Sequence, residues 1–210
     1  MNDFGTWEVN ISVDRYPQKI ASALSKLNDQ LVGAEYKPIA YLGSQVVNGV
    51  NHAVLAEQTV LSGKDIKNVV ILIFNVKPND IVATLVNIER VVESGDKCGG
   101  ILVDVSTDIP YDAMNALNSV FCFVGFSIKP FAYLGSQVVK GINYIFAAET
   151  TNVAPDAKPR VSLIIANSMT GELSISDLLG TRADSMRLGY SFTWLKRQST
   201  SLNGPLGEWP

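Results

Sequence analysis

Histidine and cysteine are scarce. The 210 residues include one histidine, His52, and two cysteines, Cys98 and Cys122. A zinc site draws on clusters of His, Cys and Asp, and covalent catalysis on a nucleophile beside its base. Neither can be assembled from this inventory, so no metal, no cofactor and no catalysis are expected. The dense cysteine framework of a small secreted domain is also missing, which points to two free thiols in a reducing cytoplasm. Charged side chains make up 18%, below the roughly 25% of an average soluble domain, with a net charge of −3 and no basic cluster. A nucleic-acid partner is therefore not expected. No apolar run approaches the roughly 18 residues of a membrane span. The longest, residues 69–76 (VVILIFNV), suits a buried strand. The opening Met-Asn-Asp-Phe-Gly has neither a basic region nor an apolar run, so no signal peptide is expected. No P-loop or GxGxxG is present.

What is present is a repeat. Residues 37–59 (KPIAYLGSQVVNGVNHAVLAEQT) and 129–151 (KPFAYLGSQVVKGINYIFAAETT) align without a gap at an offset of 92, around an octet, 40–47 and 132–139, that is identical in both. Two copies at so long a period indicate a duplicated domain rather than a solenoid. The flanks follow one plan. Residues 7–13 (WEVNISV) and 101–105 (ILVDV) alternate and are rich in β-branched side chains, which predicts strands. Ile20, Leu24, Leu27 and Leu31 form one apolar helical stripe, and Met114, Leu117, Phe121 and Val124 a second. Pro17 and Pro110 stand near the helix starts, and Gly33 and Gly125 near their ends. Downstream, 69–76 and 160–167 (RVSLIIAN) read as strands followed by turns at 77–80 and 169–172. Residues 81–92 read as strand or helix, with strand favoured at their start, and 173–178 read as a strand. The polar, glycine-rich 93–100 reads as a linker. The expected organisation is α+β: domain 1 over 1–92, domain 2 over 101–180, and an extension over 181–210 containing Tyr190, Phe192 and Trp194. Each domain would be an antiparallel sheet packed on one helix.

The repeated octet runs into a hairpin signal. Glycine follows the turn in both copies, as Asn48-Gly49 and Lys140-Gly141, so glycine is the shared geometric requirement. Two valines precede each turn, and at a hairpin tip they would face water unless a partner covers them. Gln45-Val46-Val47-Asn48-Gly49 and Gln137-Val138-Val139-Lys140-Gly141 both match Gln-x-Val-x-Gly. In this the chain resembles the cystatin and stefin inhibitors of papain-like cysteine peptidases. The second copy continues Gly141-Ile142-Asn143-Tyr144, similar to the Gly-x-Asn-Tyr of that family, whereas the first has His52 in the Tyr position. The resemblance implies a cystatin-like fold in each domain and a wedge of three parts: the first hairpin, a second hairpin and an N-terminal segment with a glycine. Gly5 would be that glycine in domain 1. In domain 2, Gly99 and Gly100 lie nearest the position but inside the chain. The Trp of the secreted family's second hairpin is absent at 77–80 and 169–172. The likeness leans toward the cytoplasmic stefins.

The reading that follows is a cytoplasmic peptidase inhibitor that inserts both hairpins into its target's cleft. The target would be a papain-like cysteine peptidase by resemblance, or another peptidase class. The alternative is a non-catalytic binding or scaffold protein on the same duplicated fold; an enzyme using the cleft between lobes is a third option. Other repeated residues have plainer readings. Gly43 and Gly135 mark bends, Tyr41 and Tyr133 sheet faces, and Asn51 and Asn143 satisfy turn backbone. Glu57 and Glu149 read as solvated strand positions, and His52 as an ordinary strand residue.

Overall fold

Residues 5–61, 65–95, 99–121 and 125–180 are described by the computed structural model. The two cysteines, Val124 and the extension over 181–210 lie outside them. The first half runs β1 (Trp7–Ser12), α1 (Gln18–Gln30), β2 (Ala34–Val47), β3 (Gly49–Leu61), β4 (Asp65–Val76) and β5 (Thr84–Glu93). The second runs β6 (Ile101–Ser106), α2 (Tyr111–Val120), β7 (Phe126–Val139), β8 (Gly141–Asn152), β9 (Arg160–Asn167) and β10 (Leu173–Asp177). Each half forms its own five-stranded antiparallel sheet, in the orders β1-β2-β3-β4-β5 and β10-β9-β8-β7-β6.

The apolar run 69–76 explains how the sheets are covered. Along β4, Val69 and Ile71 enter one buried cluster and Val70, Leu72 and Phe74 another. Alternate side chains leave a strand on opposite faces, so both faces of this sheet are buried. The first cluster is shared between the halves: Ile39, Leu42, Leu55, Val69 and Ile71 meet Val103, Leu134, Ile145, Ala147 and Val161. The two sheets therefore pack face to face as a sandwich. The outer clusters are smaller. Ile20, Ala23 and Leu24 of α1 join Tyr41, Val54 and Leu72, while Ala113 and Leu117 of α2 join Tyr133, Phe146 and Ile164.

This corrects the expected fold class. Strand accounts for 57% of the structure and helix for 14%, so the structure is mostly β, with two five-stranded antiparallel sheets and two helices among the described residues. The expectation of an α+β fold, each domain a sheet with one helix as its cover, is overturned by this strand content and by the packing of the two sheets on each other. Its physical error was to give an uninterrupted apolar strand run one cover when such a run signals burial on both sides. The helices are also shorter than the stripes suggested. Leu31 already has extended backbone as the cap after α1, and Phe121 likewise after α2. The strand in 81–92 begins at Thr84, leaving Ile81 and Val82 exposed.

The connection between halves fixes their relative direction. Asn75 pairs with Thr84 at the hairpin end of the first sheet, and Asn68 with Glu93 at its far end. From there the Gly95 amide donates to the carbonyl of Ile101 at 3.1 Å, and Ile101 pairs with Gln137 just before the second hairpin tip. The second tip thus sits at the far end of the first sheet, and the two tips lie at different ends of the sandwich.

Candidate hairpin sites at the two ends of the sandwich

The sheet positions each hairpin through its glycines. Val47 pairs with Gly49 around Asn48, and Val139 with Gly141 around Lys140. Gly49 and Gly141 have φ of 99° and 87°, a region that favours glycine. A Cβ there would also come within 2.6 Å of the Val76 carbonyl oxygen in one hairpin and of the Met169 Cβ in the other. Each tip thus leans on the turn after the neighbouring strand, 77–80 or 169–172. In those turns Asn79 and Gly171 hold matching left-handed φ of 71° and 67°. At Gly43 and Gly135 the pairing shifts register, and the backbones of Glu8 and Leu102 pass where a Cβ would stand.

A line of amides joins the loops at each end. Gln45 Nε2 donates to the Gly5 carbonyl at 2.7 Å, Asn51 Nδ2 to Gln45 Oε1 at 3.0 Å, and Asn75 Nδ2 to Asn51 Oδ1 at 2.7 Å. The second half repeats it. Gln137 Nε2 donates to the Gly99 carbonyl at 2.8 Å, Asn143 Nδ2 to Gln137 Oε1 at 3.1 Å, and Asn167 Nδ2 to Asn143 Oδ1 at 2.8 Å. The Gly5 amide also donates to the Val46 carbonyl at 3.0 Å. Segment, hairpin and strand are therefore tied by side chains as well as by the sheet ladder. The glutamine of each motif faces its own fold, leaving the valines and the apex residue to meet solvent.

Exposure differs between the ends. Val138 is 69% exposed and Val139 44%, with Leu102 and Met169 beside them at 67% each, and Lys140 is exposed at the apex. Leu102 pairs with Ser136, two residues before Val138, and so shares its face. In the first half Val46 and Val47 are partly exposed and Asn48 exposed. Glu8, paired with Ser44, takes the place of Leu102, and Lys77 that of Met169; both are exposed.

Sequence reading placed Gln45 to Gly49 and Gln137 to Gly141 at the hairpins and Gly5 in the N-terminal segment, and the structure brings Gly5 against Gln45 and Val46. It missed Asn75 and Asn167, although both keep the offset of 92; extending the repeat past 59 and 151 exposes them. Asn51 and Asn143 bond side chains rather than turn backbone. Glu57 is buried rather than solvated and pairs with Lys67 at 3.2 Å, while Glu149 pairs with Lys129 at 3.5 Å. His52 Nδ1 lies 2.9 Å from the Tyr41 hydroxyl. Burial pushes this imidazole below its ordinary value and the Tyr41 phenol above its own. In the second half Tyr144 takes the histidine's place. Its phenol is raised by burial first, then by the charge of Asp112 and by Tyr133.

A cleft of about 430 Å³ lies beside the first hairpin end, with Trp7, Gln45, Glu89, Lys158 and Arg160 in its walls. Arg160 is paired with Asp177 at 3.3 Å. Among the described residues no group of three or more His, Cys, Asp or Glu could hold a metal ion, and no helix is long and apolar enough to cross a membrane. No protein-family model, no curated protein and no solved structure matches the chain.

Proposed function

We propose that this chain is a non-catalytic, cytoplasmic peptidase inhibitor that presents its Gln-Val-Val-x-Gly hairpins to the active-site cleft of a target, a papain-like cysteine peptidase by the resemblance of the motif. The observation that carries this reading is the side-chain ladder holding three segments together at each end, with aliphatic tips facing solvent at one end and partly exposed at the other. A hairpin already fixed by its sheet loses little conformational freedom on docking. Burying what Val138 and Val139 expose is equivalent to burying about one valine, roughly 2 kcal/mol or about 30-fold in affinity. The blocked peptidase finds no scissile bond, because the bent backbone at the glycine carries no extended substrate conformation past the nucleophile.

The test is inhibition of papain by the full chain, compared with a variant carrying Val46→Asp, Val47→Asp, Val138→Asp and Val139→Asp. Wild type slows hydrolysis, and the variant loses at least tenfold in potency while keeping its circular dichroism spectrum. Equal potency would sink the hairpin mechanism. A chain that binds papain without slowing it favours the scaffold alternative.

A further inference from the structure

We infer that the chain is two-headed: each hairpin end takes its own partner molecule, and the second end is the head built for a cleft with apolar walls. This rests on the inhibitor reading above and adds stoichiometry and selectivity to it.

The first argument is placement. The tips lie at different ends of a sandwich whose strands β4 and β9 run between them. From Asn68 to Asn75 alone the sheet spans roughly 23 Å at the strand rise of about 3.3 Å per residue. The halves share the core around Leu42, Leu55, Leu134 and Ile145, so neither tip can swing round to join the other. One cleft cannot hold both tips, and two partner molecules bound at the two ends do not meet.

The second argument is what surrounds the tips. Leu102 and Val138 are exposed on one side of the hairpin, and Val139 with Met169 on the other, so the tip carries exposed apolar side chains on both of its faces. A second copy of this chain laid against one side covers only one of these faces, whereas a cleft with two walls covers both at once. At the other end Glu8 and Lys77 stand where Leu102 and Met169 stand here. An apolar wall that welcomes the second tip would have to strip water from those charges to take the first, which disfavours it.

The experiment mixes the full chain with an excess of catalytically inactivated papain and reads mass by size exclusion with light scattering, and affinity by titration calorimetry. The expected complex holds two probe molecules per chain. Val46→Asp with Val47→Asp, and separately Val138→Asp with Val139→Asp, each reduce it to one, leaving the other site's affinity within about twofold. Leu102→Glu with Met169→Lys, which copies the first end onto the second, weakens the second site at least tenfold and leaves the first unchanged. A wild-type complex of one to one overturns the two-headed inference while sparing the inhibitor reading. Equal affinity of the Leu102→Glu, Met169→Lys variant overturns the assignment of the apolar head. Self-association of the chain that this variant abolishes makes a second copy the occupant and also overturns it. Absence of any complex removes the papain-like target and the inference together.

Discussion

The two hairpin ends share a backbone and a line of amides, yet they are anchored differently. Asn75 donates to Asn51. Its counterpart Asn167 donates to Asn143 and also to the Lys140 carbonyl at 3.2 Å, and it accepts the Met169 and Thr170 amides at 2.9 and 2.7 Å. One residue explains much of the difference. The first turn has Pro78 where the second has Thr170, and proline has no amide hydrogen to offer. The Ser168 hydroxyl adds another link, accepting from the Ile142 amide at 3.0 Å; Val76 in the first half has none to give. Duplication preserved the scaffold while the turn beside each tip diverged, so the same pentapeptide sits beside a turn gathered onto an asparagine at one end and beside a strand ladder that runs one pair further, to Val50 and Val76, at the other.

This contrast can be broken most sharply at the asparagines. Asn167→Ala removes a buried amide serving four partners, and is expected to destabilise by about 3 kcal/mol in urea unfolding; Asn75→Ala should cost about 1 kcal/mol. Equal costs would mean that the extra bonds at the second end add nothing to stability. A smaller difference lies in the ion pairs away from the tips. Lys67→Ala leaves the buried Glu57 carboxylate unpaired and should cost about 1 kcal/mol, whereas Lys129→Ala at a more exposed pair should cost under about 0.5 kcal/mol. The slightest effect is pH-dependent and belongs to the first half alone. Because burial holds the His52 imidazole below 6.5, the unfolded chain takes up the proton more readily. Neutral His52 therefore supports the fold fully above pH 6.5, and that support is lost as pH falls below 6.5 toward the depressed folded value. His52→Tyr, which copies Tyr144, should flatten the fall in urea midpoint between pH 7.5 and 5.5. An unchanged slope would show that another group sets the acid sensitivity.

The sequence showed the repeat, the glycine-closed hairpins and the strands at 7–13, 69–76, 101–105, 160–167 and 173–178, because each rests on local chemistry: β-branched alternation, an apolar run, glycine after a turn. The start of β5 was misplaced since Ile81 and Val82 are apolar residues left in the open before the strand, against the usual pattern. The pairing of sheets was harder to read. Nothing local distinguishes Val69 and Ile71, which meet the other half, from Val70 and Leu72, which face α1; only the tertiary arrangement assigns them. The ladder was hidden for a related reason. Gln45, Asn51 and Asn75 are neighbours across three strands but are spread over 30 residues of chain, and polar side chains give no periodic signal.

The face-to-face core has a consequence for how the molecule holds together. Half of its largest apolar face comes from each repeat, so the halves relate as the subunits of an obligate dimer that happen to be made in one piece. The peptide between Glu93 and Ile101 keeps the two at high effective concentration, but their adhesion resides in Leu42, Leu55, Leu134 and Ile145. A trimmed single repeat would carry that face bare to water, and its natural remedy is to find another repeat.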